Sequence, residues 1–220
     1  MGTDVHSIIE VKKDIVLKVH PEQAVVLDTR TTWTSVENPW EEDRDYLLFA
    51  ILANVRNGFG FGGTYRHEPI EPITNCRGLP DDFSELSIAE EWRAYNHSHT
   101  WLLGSEFMSW YNSDIISIVH TGIITKQQFE AWDGNEPDAY CSDTAGPNIV
   151  IGDDINSFVK TNSTQLREDQ LLTPINSDCT HVRVWWSDNI QSQISYFYDE
   201  VVKPLMDKYG DFRLVMSFDS

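Results

Sequence analysis

Period-two alternation at both ends of the chain limits its fold more than any other feature of the sequence. From Thr3 to Lys12, Val5, Ser7, Ile9 and Val11 fall on one face of an extended strand and Asp4, His6, Ile8 and Glu10 on the other. Asp14 to His20 and Ala24 to Asp28 read as shorter strands around a His20-Pro21-Glu22 turn, which makes a β-meander, and Trp33 to Trp40 reads as irregular. Far along the chain, Thr180 to Trp186 alternates again, as do Phe212, Leu214, Met216 and Phe218. Between those two runs Ile190, Ile194, Phe197, Val201, Leu205 and Tyr209 recur at spacings of three and four, which predicts a helix from Asp188. Pro204 should kink that helix and Gly210 should end it. The strand–helix–strand unit so formed can pair with the opening strands.

The period changes after Asp43, a residue suited to cap a helix. Tyr46, Leu47, Phe49, Ala50, Ile51, Ala53 and Val55 are apolar on nearly every side, so the predicted helix should be buried, with Asn57-Gly58 as its stop. Gly58 to Pro80 has no clear period. Ser105 can cap a helix through Tyr111, Asp114 to His120 reads as a strand, and Thr125 with Gln128 makes a capping-box pair before Phe129 and Trp132. Together these predict one α+β domain over residues 1–220. Its sheet, mostly antiparallel or mixed, is formed by the N- and C-terminal strands with helices packed on one side, and residues 133–180 form an irregular insertion.

Charge narrows the partners. Sixteen Lys and Arg face 35 Asp and Glu, a net charge of −19 spread evenly along the 220 residues. Such a surface repels nucleic-acid phosphates and anionic lipid, so general nucleic-acid binding and membrane association are not expected. The longest apolar run, Tyr46 to Ala53, is too short to cross a bilayer. Three scattered cysteines, Cys76, Cys141 and Cys179, suit neither a disulfide framework nor a thiolate zinc site. The first residues lack the basic and apolar regions of a secretory leader, which sets the expectation of a cytoplasmic protein. A homo-oligomer is left open.

Four constellations offer chemistry. Asp4 and His6 project from one strand face, a usual arrangement for two metal ligands or an acid–base pair, and equally for the wet side of an edge strand. His97 and His99, at i and i+2 ahead of Trp101, can chelate one cation through neutral imidazoles. With Asp4 and His6 they would make a four-ligand set for a divalent metal, the one cofactor these residues suggest; the other readings are a polar pocket wall and a solvated loop. Arg56-Asn57-Gly58-Phe59-Gly60-Phe61-Gly62-Gly63 matches a dinucleotide fingerprint literally, yet it follows a predicted helix where that fingerprint follows a strand. What survives is either a mobile hairpin tip or a loop able to offer backbone N–H groups, a guanidinium and phenyl rings to a nucleotide. Arg77-Gly78-Leu79-Pro80-Asp81-Asp82 supplies a stiffened turn, in which Arg77 either pairs with Asp81 or Asp82 or meets a ligand. Signatures of P-loop, GxSxG, HExxH, EF-hand and zinc-deaminase chemistry do not occur.

With Met1 to His6, Phe49 to Gly58, Arg77 to Asp82, His97 to Leu102 and Phe212 to Asp219 in view, the chain resembles a family of uncharacterised bacteriophage and prophage proteins. Its members begin MG-[CT]-D-[IV]-H, carry RNG, RGLPD and HSx[ST]WL, and close with a strand ending in FD. The resemblance implies a phage setting within an infected bacterial cell, and it implies that the polar residues of these motifs converge on one pocket. The expected ligand-binding residues are Asp4, His6, Arg56, Asn57, Phe59, Arg77, Asp81, His97, His99 and Trp101. Three functions follow as expectations. The first is a counter-defence protein that sequesters a small nucleotide-derived immune signal. The second is a metal-dependent, phosphodiesterase-like hydrolase of such a signal. The third is an acidic protein-binding inhibitor or DNA mimic.

Overall fold

The two alternating ends pair with each other. In a computed structural model that describes residues 2–19, 26–40, 44–60, 63, 66–161 and 171–219, strand β1 (Asp4–Val19) runs antiparallel to β7 (Arg213–Asp219), with Asp4 opposite Asp219 and Ile9 opposite Leu214. β2 (Val26–Val36) flanks β1 and β3 (His97–Leu103) flanks β7, giving a four-stranded antiparallel sheet of order β2-β1-β7-β3. β1 is therefore an interior strand and not an edge, and it runs unbroken where two shorter strands were predicted. The His20-Pro21-Glu22 turn lies outside the described residues. Trp33 to Val36, expected as irregular, belong to β2.

The chain divides into two compact units. The first comprises Met1–Val55, Glu71–Ser113 and Ile194–Ser220 and holds this sheet. Every residue of β7 from Arg213 to Phe218 is buried, because side chains on both faces of the strand are covered. Helix α1 (Tyr46–Ala53) supplies one cover: Leu48 to Ala53 are wholly buried, and Phe49 meets Phe218 edge-on at 5.3 Å. Full burial of each such side chain contributes about 1.5–3 kcal/mol, which explains a helix apolar all round. Its cap is Asp45, whose side chain accepts from the Leu48 N–H at 3.0 Å; Asp43, the expected cap, lies outside the described residues. The stop is Asn54 at φ 58°, three residues before Asn57. Helix α2 (Leu86–Tyr95) covers the other face, with Ala89, Trp92 and Phe83 packed against Val215, Ile8 and Trp101. Helices thus lie on both sides of the sheet where one side was expected.

Helix α3 (Gly104–Tyr111) continues directly from β3. Its N-terminal N–H groups are served by Glu106, which accepts from Leu103 at 2.8 Å, and by Asp211, which accepts from Ser105; Ser105 is inside the helix and is not its cap. The helix predicted from Asp188 is broken. β6 extends to Asn189 and is followed by α6 (Ile190–Gln193), α7 (Ser195–Phe197), a π-helical turn (Tyr198–Val202) and α8 (Lys203–Tyr209). In the π turn the Lys203 N–H bonds Tyr198, five residues back. The widened turn just ahead of Pro204 relieves the clash a proline ring makes in a regular helix. Gly210, at φ 81°, ends α8 as expected.

The second unit, Arg56–Ile70 and Asp114–Gln193, has its own sheet of order β4-β6-β5. β4 (Ser117–Thr125) is antiparallel to β6 (His181–Asn189), and β5 (Ile151–Asp153) is parallel to it. β6, expected beside the opening strands, belongs to this sheet. Ile124, Val182, Val184 and Trp186 form its core with Phe129, Trp132, Tyr140 and Ile175. Helix α4 (Lys126–Ala131) starts at the expected Thr125–Gln128 capping box, and α5 (Ile155–Lys160) is capped by Asp154. No helix among the described residues is long and apolar enough to cross a membrane.

Candidate functional site

Pairing of β1 with β7 decides which polar side chains meet. His6 stands opposite Ser217 and Asp4 opposite Asp219, so all four project from one sheet face, the face that α2 partly covers. The His6 Nε2 lies 3.1 Å from Asp219 Oδ2, with both side chains a little over two-fifths exposed. The Asp4 N–H donates to the other Asp219 oxygen. Asp4 itself is taken by Arg44, whose Nη2 donates to it at 2.7 Å; that hydrogen bond holds the Asp4 carboxyl below its ordinary range.

β3 brings a second histidine to the same face. Between His97 and Thr100 the register shifts by one residue, because β3 carries a bulge at Ser98, which sits at φ 53°. The bulge turns His99 toward Ser217, and its Nδ1 lies 2.8 Å from the Ser217 hydroxyl. His97 instead registers with Phe218 and bonds the neighbouring Ser98 hydroxyl at 2.9 Å. His6, Ser217 and His99 consequently form a row across three strands. Burial, then the charges of Arg93 and His97, push the His99 imidazole below its usual value, so it stands neutral at pH 7.

The RGLPD segment supports this row from the open side of β3. The Gly78 N–H donates to the His99 carbonyl at 2.9 Å and the Arg77 N–H to Thr100 Oγ1 at 3.2 Å. Arg77 pairs with Glu106 through two nitrogens at 2.8 and 2.9 Å and lies over the Trp101 ring, so its partner is neither Asp81 nor Asp82. Asp81 remains exposed in the turn. Asp82 instead meets Arg213, which is buried with Glu10 and stacked on Trp33 at 4.3 Å. Arg213 also lies 5.8 Å from the centre of the Trp101 ring, so Trp101 serves as a platform for two arginines.

The four-ligand metal set is not assembled. Among the described residues no group of three or more His, Cys, Asp or Glu side chains is placed to hold a metal ion. The bulge separates His97 from His99, and Arg44 occupies Asp4.

Arg56, Asn57 and Phe59 belong to the second unit. Asn57 clamps its own loop, donating to the Ile70 carbonyl at 2.7 Å and accepting from the Ile70 N–H at 2.9 Å. Arg56 takes a left-handed turn at φ 56°, and its carbonyl accepts from the N–H of the exposed Phe59. Phe61 and Gly62 lie outside the described residues. The same unit holds a pair that the sequence did not single out, the buried His67 and the part-buried His120, whose rings are 6.0 Å apart. His120 stacks on Trp186 and faces Asp188 at 3.7 Å, and burial pushes it down to about 4. A cleft of about 500 Å³ in this unit is lined by Phe129, Trp132, Lys160 and Trp185. Its carboxylates serve its own backbone, Asp133 at Asn135 and Asp154 at Asn156 and Ser157.

Sequence reasoning missed Ser217, Asp219 as a partner of His6, and Arg93. Arg93 sits in the last turn of α2, four residues before β3, and its charge reaches His99. Among the described residues no carboxylate lies within ion-pair distance of it. Comparison with protein-family models, curated proteins and solved structures returns no match.

Proposed function

We propose that the His6–Ser217–His99 row, with Arg93 beside it, binds a small phosphate-bearing, nucleotide-derived ligand. In the phage setting implied by the family resemblance, that ligand is an immune signal of the infected cell and the protein acts in counter-defence by capturing it. The observation that carries this reading is the alignment of two histidines and a serine on one partly open sheet face. A neutral imidazole offers both a donor and an acceptor to hydroxyl groups and base edges. Arg44, Arg77 and Arg213 are paired with carboxylates, whereas Arg93, whose charge reaches His99, has none within ion-pair distance among the described residues and suits a phosphate. One such contact at short range outweighs the screened charge of a distant acidic surface.

The test is calorimetric titration of the purified protein with a panel of mono-, di- and cyclic dinucleotides, alongside native mass spectrometry for co-purified ligand. At least one nucleotide should bind, and Arg93→Ala and His99→Ala should each weaken binding by about tenfold or more while melting normally. Failure of the whole panel, or unchanged affinity in both variants, overturns the proposal.

A further inference from the structure

We propose that the two histidines of this row act as a metal-free acid–base pair that cleaves a ribonucleotide phosphodiester bond next to a free 2′-hydroxyl. The inference rests on the binding reading above and adds a reaction to it. His6 and His99 flank β7 from either side, so two strand spacings, about 10 Å between backbones, separate them. That span lets both rings address one phosphoryl group held between them. The two are held differently. His6 is bonded through Nε2 to the Asp219 carboxylate, which is placed to balance a proton on the ring. His99 is bonded through Nδ1 to a serine hydroxyl, and among the described residues its Nε2 has no hydrogen-bond partner. An imidazole tied to a carboxylate and one tied to a neutral hydroxyl, side by side on a rigid sheet, suit the acid and base of one displacement.

The step balances without any co-reactant. His99 Nε2 takes the proton of the 2′-hydroxyl as that oxygen bonds to phosphorus. The bond from phosphorus to the 5′-oxygen breaks, and the leaving oxygen receives the proton from His6 Nδ1. The products are a 2′,3′-cyclic phosphate and a 5′-hydroxyl, and proton exchange with water resets both rings. Arg93, whose charge reaches His99, would offset charge gathered on the phosphoryl oxygens. Ser217 is wholly buried in a central strand, so it orients His99 and does not attack.

The experiment incubates the full chain, in excess chelator, with the dinucleotide ApA and with a 3′,5′-linked cyclic dinucleotide. Deoxy-ApA is the control, and products are followed by chromatography and phosphorus NMR. Expected are a 2′,3′-cyclic phosphate from a ribonucleotide probe, none from the deoxy analogue, and a loss of about 10²–10⁴-fold in rate for His6→Asn and for His99→Gln. Both substitutions keep a polar side chain, and thermal melts identify any that simply unfolds; cleavage that survives in the folded variants overturns the inference. Binding of the probes without cleavage overturns it too while leaving the binding reading intact, and so does cleavage that appears only with added metal or acts equally on the deoxy analogue. Absence of any binding overturns both.

Discussion

Arg213 and Glu10 meet at 2.6 Å with side chains 4% and 0% exposed, a full ion pair inside the four-stranded sheet of the first unit. Asp82 completes the arginine from the turn after RGLP, and Glu10 also accepts the Ser84 N–H at 2.7 Å. Removing one partner strands the other charge in a low-dielectric site. Arg213→Met alone should cost about 3–5 kcal/mol in urea unfolding, whereas Arg213→Met combined with Glu10→Leu should recover a measurable part of that loss.

His120 predicts a specific pH dependence. Its folded-state value of about 4 lies below the usual 6.5, mainly through burial, so between those values the unfolded chain binds the extra proton. Its contribution is full above about pH 6.5 and is lost as pH falls toward 4. From pH 7 to pH 5 the loss amounts to roughly 2 kcal/mol, and His120→Gln should reduce the difference in stability between those two conditions by that order. His67 shifts in the same direction, again chiefly through burial, so the variant removes only part of the total slope.

Arg77 and Arg93 should separate cleanly. Arg77→Ala breaks a two-nitrogen contact with Glu106 and a stack on Trp101, and should lower stability by about 1 kcal/mol because the pair is one-third exposed. Arg93→Ala touches no described ion pair and should leave the melting temperature unchanged while weakening nucleotide binding. The two variants, compared by calorimetry and by melting, distinguish a structural arginine from a ligand arginine.

Asp45 closes two contacts at the start of α1, the Leu48 N–H and the Tyr196 hydroxyl at 3.0 Å. Asp45→Ala should cost about 1–2 kcal/mol and speed amide exchange in the first turn of α1. Tyr196→Phe removes only the second contact and should cost less, with exchange in that turn unchanged.

Much of the first unit was legible because its sequence signals are periodic. The alternation around Val5 and Phe218 specified strands, and a helix apolar from Leu47 to Ala53 could only be buried. The Asp4–His6 and His97–His99 motifs directed attention to β1 and β3, the two strands that flank β7. Chemistry at that face was misread where it depends on contacts distant in sequence. Nothing near Arg77 announces Glu106, and nothing near Asp4 announces that Arg44 takes its carboxylate. The bulge at Ser98 was equally hidden: a single residue at positive φ converts an apparent i, i+2 chelate into two histidines out of step. Ser217 escaped notice as a small polar residue inside an apolar strand, although its period-two spacing from Asp219 was there to be read. The two-sheet division was missed because β6 and β7 alternate alike, and alternation says nothing about which neighbour a strand chooses.

The hydrogen bond from the Asp4 N–H to Asp219 spans 215 positions of chain. During synthesis, β1 leaves the ribosome long before its neighbour β7 exists. Until then His6 has no carboxylate and His99 no serine. The nascent polypeptide therefore carries the ingredients of the row without its arrangement, and the row is assembled only when translation has supplied the strand that both histidines wait for.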